Sequence, residues 1–134
     1  MSTASATSVL LADQHHGLYQ GIRGLLETTF GKVFLVTDNP SLREGAVRLQ
    51  PTVIVMDLSF AAGNLPGLLT ALRRDAPAAK LLLLSVHDEP TIIASAVAAG
   101  ADGFIVKRAI ASDLLHAIDA VLAGRRYFNS SSNN

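Results

Sequence analysis

The feature that most constrains this chain is a regular alternation of two hydrophobic rhythms. Five short runs are continuously apolar rather than alternating: Val9–Ala12, Val33–Val36, Val53–Met56, Leu81–Val86 (interrupted only by Ser85) and Phe104–Val106. A strand with one wet face would alternate apolar and polar residues, so continuous runs predict strands covered on both faces, as in a parallel sheet. A segment with helical spacing follows each run. The first places Leu18, Ile22, Leu25, Leu26 and Phe30 on one stripe, the second Leu42, Ala46 and Leu49, and the third Leu68, Leu69 and Leu72. The fourth opens at Pro90 and closes near Gly100, and the fifth is expected to start from a Ser112-Asp113 cap and end at Gly124. Five such units predict a doubly wound α/β sandwich of three layers. Right-handed crossovers then favour a parallel sheet in the order 2-1-3-4-5.

Length and composition agree. The 134 residues suit one domain, and 49% apolar residues can fill its core. The absence of cysteine excludes disulfides, thiolate metal sites and a cysteine nucleophile. Eleven basic and eleven acidic side chains cancel, which argues against a nucleic-acid surface on this domain. Nothing at the N-terminus reads as a signal peptide, and no apolar run nears the roughly 18 residues of a membrane span, so a cytoplasmic chain without membrane association is expected. The polar ends delimit the domain: residues 1–8 as a disordered end, 9–128 as the folded unit, and 129–134 as a tail or the start of a linker.

In an open parallel sheet the working site lies beyond the carboxyl ends of the strands, where the strand order switches between strands 1 and 3. There the runs end in Asp13, Asp57, Ser85 and Lys107. Neighbouring strands lie about 4.8 Å apart, so Asp13 and Asp57 should face one another, a repulsion relieved by protonation or by a cation. Hard oxygen ligands with room for water suit Mg²⁺. A serine hydroxyl and a compact lysine charge would suit a phosphoryl group, and Lys107 is one of only three lysines. Singly, each residue has a plainer reading: Asp13 as a helix cap, Asp57 and Lys107 as strand-end charges, Ser85 as nothing in particular. Acid, acid, hydroxyl and lysine at the same end of four strands is the informative pattern.

With those residues in place the sequence resembles the receiver domain of two-component response regulators, CheY-like and flavodoxin-like in fold, and most closely the NarL/LuxR-type branch. The resemblance runs from about Val9 to Tyr127, through VLLADQHHGLYQGIRGLLE, TVIVMDLS, LLLLSVHDE, AVAAGADGFIVKR and SDLLHAIDAVLAGRRYF. It implies that Asp57 accepts a phosphoryl group from a histidine kinase, and that the domain promotes only its own phosphotransfer and dephosphorylation. It implies Mg²⁺ held by Asp13, Asp57 and the Ser59 backbone carbonyl. Ser85 and Lys107 would engage the phosphoryl group, and Phe104 would be an aromatic switch that moves inward when Ser85 does so, passing the change on to the surface made by helix 4, strand 5 and helix 5. His87 stands where the family tunes water access. Related receivers form homodimers on activation, and NarL/LuxR-type regulators carry a helix-turn-helix output domain after a linker that would begin near Arg125, so DNA would be contacted only through a domain absent from this chain.

Two departures stand out. Gln14 replaces the second acid that usually follows the first strand, so it can approach Mg²⁺ only weakly or through water, and weakened Mg²⁺ binding is expected. The stretch FAAGNLPG after Ser59 carries two extra residues and puts Ala61 where proline is usual. These motivate an alternative, a pseudo-receiver controlled by partner binding without phosphorylation. A flavodoxin-type cofactor binder ranks last, because DQHHGLYQG offers an acid where a phosphate loop would be needed. His15, His16 and His87 could in principle serve zinc, but a loop and helix-start reading is preferred, and His116 is expected on the exposed side of the last helix.

Overall fold

The sheet of this computed structural model, which describes residues 7–14 and 16–129, contains β1 (Ser8–Ala12), β2 (Lys32–Val36), β3 (Val53–Asp57), β4 (Lys80–Ser85), β5 (Gly103–Val106) and β6 (Tyr127–Asn129). All pairings are parallel and the order is β2-β1-β3-β4-β5-β6. The helices are α1 (His16–Glu27), α2 (Asn39–Leu49), α3 (Leu65–Asp75), α4 (Pro90–Ala98) and α5 (Ile110–Leu122). The doubly wound architecture and the order of the first five strands are as expected, with a sixth strand added.

The reason the runs are apolar throughout is visible in the two cores. Leu10, Ile54, Met56, Leu81, Leu83 and Phe104 point to one face of the sheet, where Leu42, Ala46, Leu69, Leu72 and Ala96 of α2, α3 and α4 meet them. Val9, Leu11, Val53, Val55, Leu82, Leu84 and Ile105 point to the other, against Ile22, Leu26, Leu114, Ile118 and Val121 of α1 and α5. Successive strand residues thus fill opposite layers, as the period of two requires.

Local chemistry sets the helix starts. The Asp38 carboxylate accepts the Ser41 amide at 2.8 Å and Pro40 sits in the first turn of α2. The α2 chain then turns through Gln50, whose amide nitrogen donates to the carbonyls of Ala46, Val47 and Asp75. Asn64 caps α3 through the Gly67 amide at 3.1 Å, with Pro66 in the first turn. The stretch before it makes a tight turn, with Ala62 and Gly63 both left-handed (φ 49° and 82°) after a 3-10 turn over Leu58–Ala61.

Some expectations are corrected. Thr7 is buried and its carbonyl accepts the amides of Gly31 and Lys32, while Ser8 opens β1, so the folded unit begins before residue 9. The remainder of the supposed disordered end, and 130–134, lie outside the described residues. Leu49, expected on the buried stripe, is exposed at the end of α2. The fifth helix starts at Ile110, two residues before the expected cap, because a 3-10 turn over Lys107–Ala109 leads straight into it; the Ser112 hydroxyl donates back to the Ala109 carbonyl instead. Asn129 belongs to β6, so the sheet extends one residue past the expected boundary at 128. The side chain of Leu18 lies outside the described residues. No helix among those described is long and apolar enough to cross a membrane.

Candidate functional site

The strand register delivers the four sequence-marked residues to one edge. Ala12 pairs with Met56, which brings Asp13 level with Asp57. Asp57 pairs with Leu84, and Ser85 with Val106, which leaves Lys107 just beyond the end of β5. The Asp13 amide donates to Val36 at 3.2 Å, continuing the β1–β2 ladder and fixing the backbone from which its carboxylate projects.

The side chains converge as expected and around a single cation. Lys107 Nζ lies 3.1 Å from Asp13 Oδ2 and 3.0 Å from Asp57 Oδ1. All three side chains are less than one tenth exposed. Among the described residues, two buried carboxylates share this ammonium. The Ser59 hydroxyl donates to the other Asp57 oxygen, Oδ2, through a short contact. Ser85 is buried, and its Oγ accepts the His87 amide at 3.0 Å, which fixes the oxygen position while leaving the hydroxyl proton to donate elsewhere. Gln14, Asp57, Ser59, Ser85, His87 and Lys107 line an open cleft of about 560 Å³.

Of the remaining sequence-marked residues, Gln14, Ser59 and His87 line this cleft, whereas Phe104 and His116 do not. Gln14 is exposed at its rim. The Ser59 carbonyl accepts the Ala62 amide at 3.3 Å, and a carbonyl has a second lone pair to offer a cation. Phe104 is wholly buried among Leu83, Ala96 and Ala101, so its ring holds an inward position. His87 is exposed, with Nδ1 3.7 Å from Glu89. His116 is exposed on α5. His15 and the His16 side chain lie outside the described residues. Among the described residues, no three His, Asp or Glu side chains are grouped to hold a metal, so a zinc site gains no support.

Two participants escaped the sequence reading. The Ser59 side chain was passed over in favour of its carbonyl, although a serine two residues after a strand-end carboxylate on a tight turn is well placed to fold back on it. Arg108 pairs with Asp88 at 2.7 Å and straps the loop after β4 to the turn after β5. No local signal could have found that pair, because its partners are 20 residues apart.

The arrangement suits attack by a carboxylate on an electron-poor centre. Asp57 borders the cleft, one fixed cation neutralises charge beside it, and a hydroxyl oxygen is fixed on the next strand.

Comparison with known proteins places this geometry. The family described as the response regulator receiver domain matches residues 9–119. The chain is 33% identical over 135 residues to the nitrate/nitrite response regulator protein NarP of Escherichia coli (strain K12), covering 99% of this chain and 63% of that protein. It is 35% identical over 128 residues to the response regulator UvrY of Escherichia coli (strain K12), covering 92% and 57%. The chain therefore spans about three fifths of the length of these curated relatives. Among solved structures, a LuxR family DNA-binding response regulator from Silicibacter pomeroyi is 33% identical, with a TM-score of 0.72 and coverage of 94% of this chain and 98% of that one. The non-phosphorylated receiver domain of RcsB from Escherichia coli, at 24% identity and a TM-score of 0.79, shares the fold.

Proposed function

This chain belongs to the response regulator receiver domain family, and from that premise we propose that it is a phosphoacceptor switch in which Asp57 takes a phosphoryl group from the phosphohistidine of a sensor histidine kinase. The observation that carries this reading is the shared cation: Lys107 Nζ within 3.1 Å of both carboxylates, at the mouth of a cleft that also holds Ser85.

The chemistry follows from those positions. A carboxylate oxygen of Asp57 attacks phosphorus, the phosphorus–nitrogen bond breaks, and its electron pair stays with the imidazole. Asp57 is held ready by Ser59 on one oxygen and Lys107 on the other, so little orientational freedom is lost on attack. Lys107 screens the repulsion between a carboxylate and an anionic phosphoryl group, and its charge grows in value as negative charge gathers on the transferred oxygens. The Ser85 hydroxyl donates to one of those oxygens in the product. His87, beside Ser85 at the cleft, tunes the approach of the water that later hydrolyses the acyl phosphate.

The donor set fits Mg²⁺: two carboxylates, a carbonyl with a spare lone pair and a neutral amide are hard oxygen ligands with space for water. Asp13, Asp57 and the Ser59 carbonyl would hold it, with Gln14 weakly or through water. Bound Mg²⁺ would supply further positive charge to the incoming phosphoryl oxygens. Because Gln14 is neutral and Lys107 already serves both carboxylates, binding is weaker than at a site with a full acidic pair.

The test is incubation with acetyl phosphate and Mg²⁺ followed by intact-mass measurement. One phosphoryl increment is expected, and none in Asp57→Asn. No increment on the native chain, or the same increment on Asp57→Asn, refutes the reading. The alternative, a pseudo-receiver read by partner binding alone, is favoured by Gln14 and predicts neither increment nor Mg²⁺ binding. In a protein of the relatives' length, the receiver would control a LuxR-type helix-turn-helix output and form a homodimer on activation; DNA would be contacted only there.

A further inference from the structure

The sixth strand has no counterpart among the expected elements, and its placement is informative. α5 carries the chain to the amino edge of the sheet. There Gly124 (φ 84°) ends the helix, and the Arg125 amide bonds back to the Ala120 carbonyl at 2.9 Å. β6 then runs parallel to β5, with Gly103 opposite Tyr127, Phe104 opposite Phe128 and Ile105 opposite Asn129. The chain thus returns to the edge that carries Asp57, Ser85 and Lys107.

The outer edge of β5 is shaped for this strand. A Cβ on Gly103 would lie 2.6 Å from Leu82 Cδ1 and 3.0 Å from the Tyr127 carbonyl oxygen, so any larger residue would crowd the close approach of β6. The Tyr127 amide donates to Asp102 at 3.0 Å. Arg126 reaches the Ala101 carbonyl at 3.3 Å and lies 5.2 Å over the Phe128 ring. Phe128 packs on the core layer of Phe104, and Tyr127 on the opposite layer. This is strand addition to a sheet edge, with backbone pairing for affinity and side-chain seats for selectivity.

We propose that the outer edge of β5 is a strand seat, filled by the chain's own Arg126–Asn129, and that phosphorylation of Asp57 tightens its occupancy. The proposal rests on Asp57 being the acceptor. Lys107 immediately follows β5 and holds both carboxylates, so the strand that forms the seat is the strand that carries the site's cation. A phosphoryl group adds negative charge in front of Nζ and restrains the end of β5. A restrained β5 costs β6 less ordering when it docks. Phe104 adds a steric link: its ring is buried in the layer on which Phe128 packs.

Amide hydrogen exchange at Tyr127, read by NMR with and without Mg²⁺ and beryllofluoride (a phosphoryl mimic), tests the link. Protection of Tyr127 should rise at least about fivefold on adduct formation, the low end of allosteric coupling. Reciprocity then requires that Arg126→Ala with Phe128→Ser, which loosens the seat without touching the site, weakens beryllofluoride affinity by a similar factor. Gly103→Val is a second route to the same outcome, and the paired edge substitutions stand in if it fails to fold. An adduct that forms while Tyr127 exchange and variant affinity both stay within twofold overturns the coupling alone. If no adduct forms on Asp57, the acceptor reading falls and the coupling falls with it. Unchanged Tyr127 exchange in the unmodified edge variants overturns the seat itself.

Discussion

Replacing Lys107 by methionine should cost far more stability than replacing Asp57 by asparagine, although both remove one charge from the same cluster. At 3.1 and 3.0 Å from Nζ, each carboxylate gains about 5 kcal/mol gross at an effective dielectric near 20. Both oxygens touch the same nitrogen, so they are no more than about 6 Å apart and repel by about 3 kcal/mol or more on the same scale. Lys107→Met removes both attractions and leaves two buried carboxylates facing each other. The expected loss is about 3–5 kcal/mol, the cost of stripping one partner from a buried pair. The open cleft admits water and should keep the loss near the lower figure. Asp57→Asn loses one attraction but relieves the repulsion and one buried charge, and its amide oxygen can still accept from Ser59. Its stability should lie within about 1 kcal/mol of the native chain, or above it. Urea unfolding by circular dichroism at neutral pH, low salt and no metal gives both midpoints, with equal slopes required for the comparison. Mg²⁺ at ten times its Kd should restore about 1.4 kcal/mol to Lys107→Met by binding only the folded state. Equal losses in the two variants, or an unmoved midpoint in Lys107→Met, would refute the electrostatic account of the cluster.

Other consequences can be measured on the same material. Gln14→Glu supplies the missing acid at the cleft rim and should tighten Mg²⁺ about tenfold by calorimetric titration, part of the gross gain being lost to repulsion by Asp13 and Asp57. Acceptance of the Ser41 amide and hydroxyl holds the Asp38 carboxyl below its usual range. A depressed folded-state pKa means that the cap's contribution is complete above the unfolded-state value and fades as pH falls through the folded-state one. Thermal melts from about pH 5 downward should therefore show a shallower decline in Asp38→Asn, which keeps a capping oxygen but does not titrate. Gly63→Ala forces a Cβ into the left-handed region at φ 82° and should cost about 1 kcal/mol in the same urea assay. Phosphorylation rates should change with it, since that turn leads from Ser59 to α3.

The sequence by itself determined the architecture. Runs such as Val53–Met56 are apolar at every position because each strand is buried on both faces, and that pattern is local enough to read without coordinates. Strand ends are legible too, so Asp13, Asp57, Ser85 and Lys107 could be assigned to one edge before any distance was known. Tertiary structure decided how those residues divide the work. That Lys107 serves both carboxylates and that Arg108 reaches Asp88 depend on side-chain approach between separate loops, which spacing along the chain does not encode. The sixth strand is the clearest case. Tyr127–Asn129 is too short and too close to a polar end to announce itself, and its close pairing with β5 is eased by Gly103, 24 positions earlier than Tyr127, which keeps a Cβ away from its backbone. Local burial patterns fix which segments become strands and helices; contacts between distant segments fix what sits on the last edge and which charge answers which.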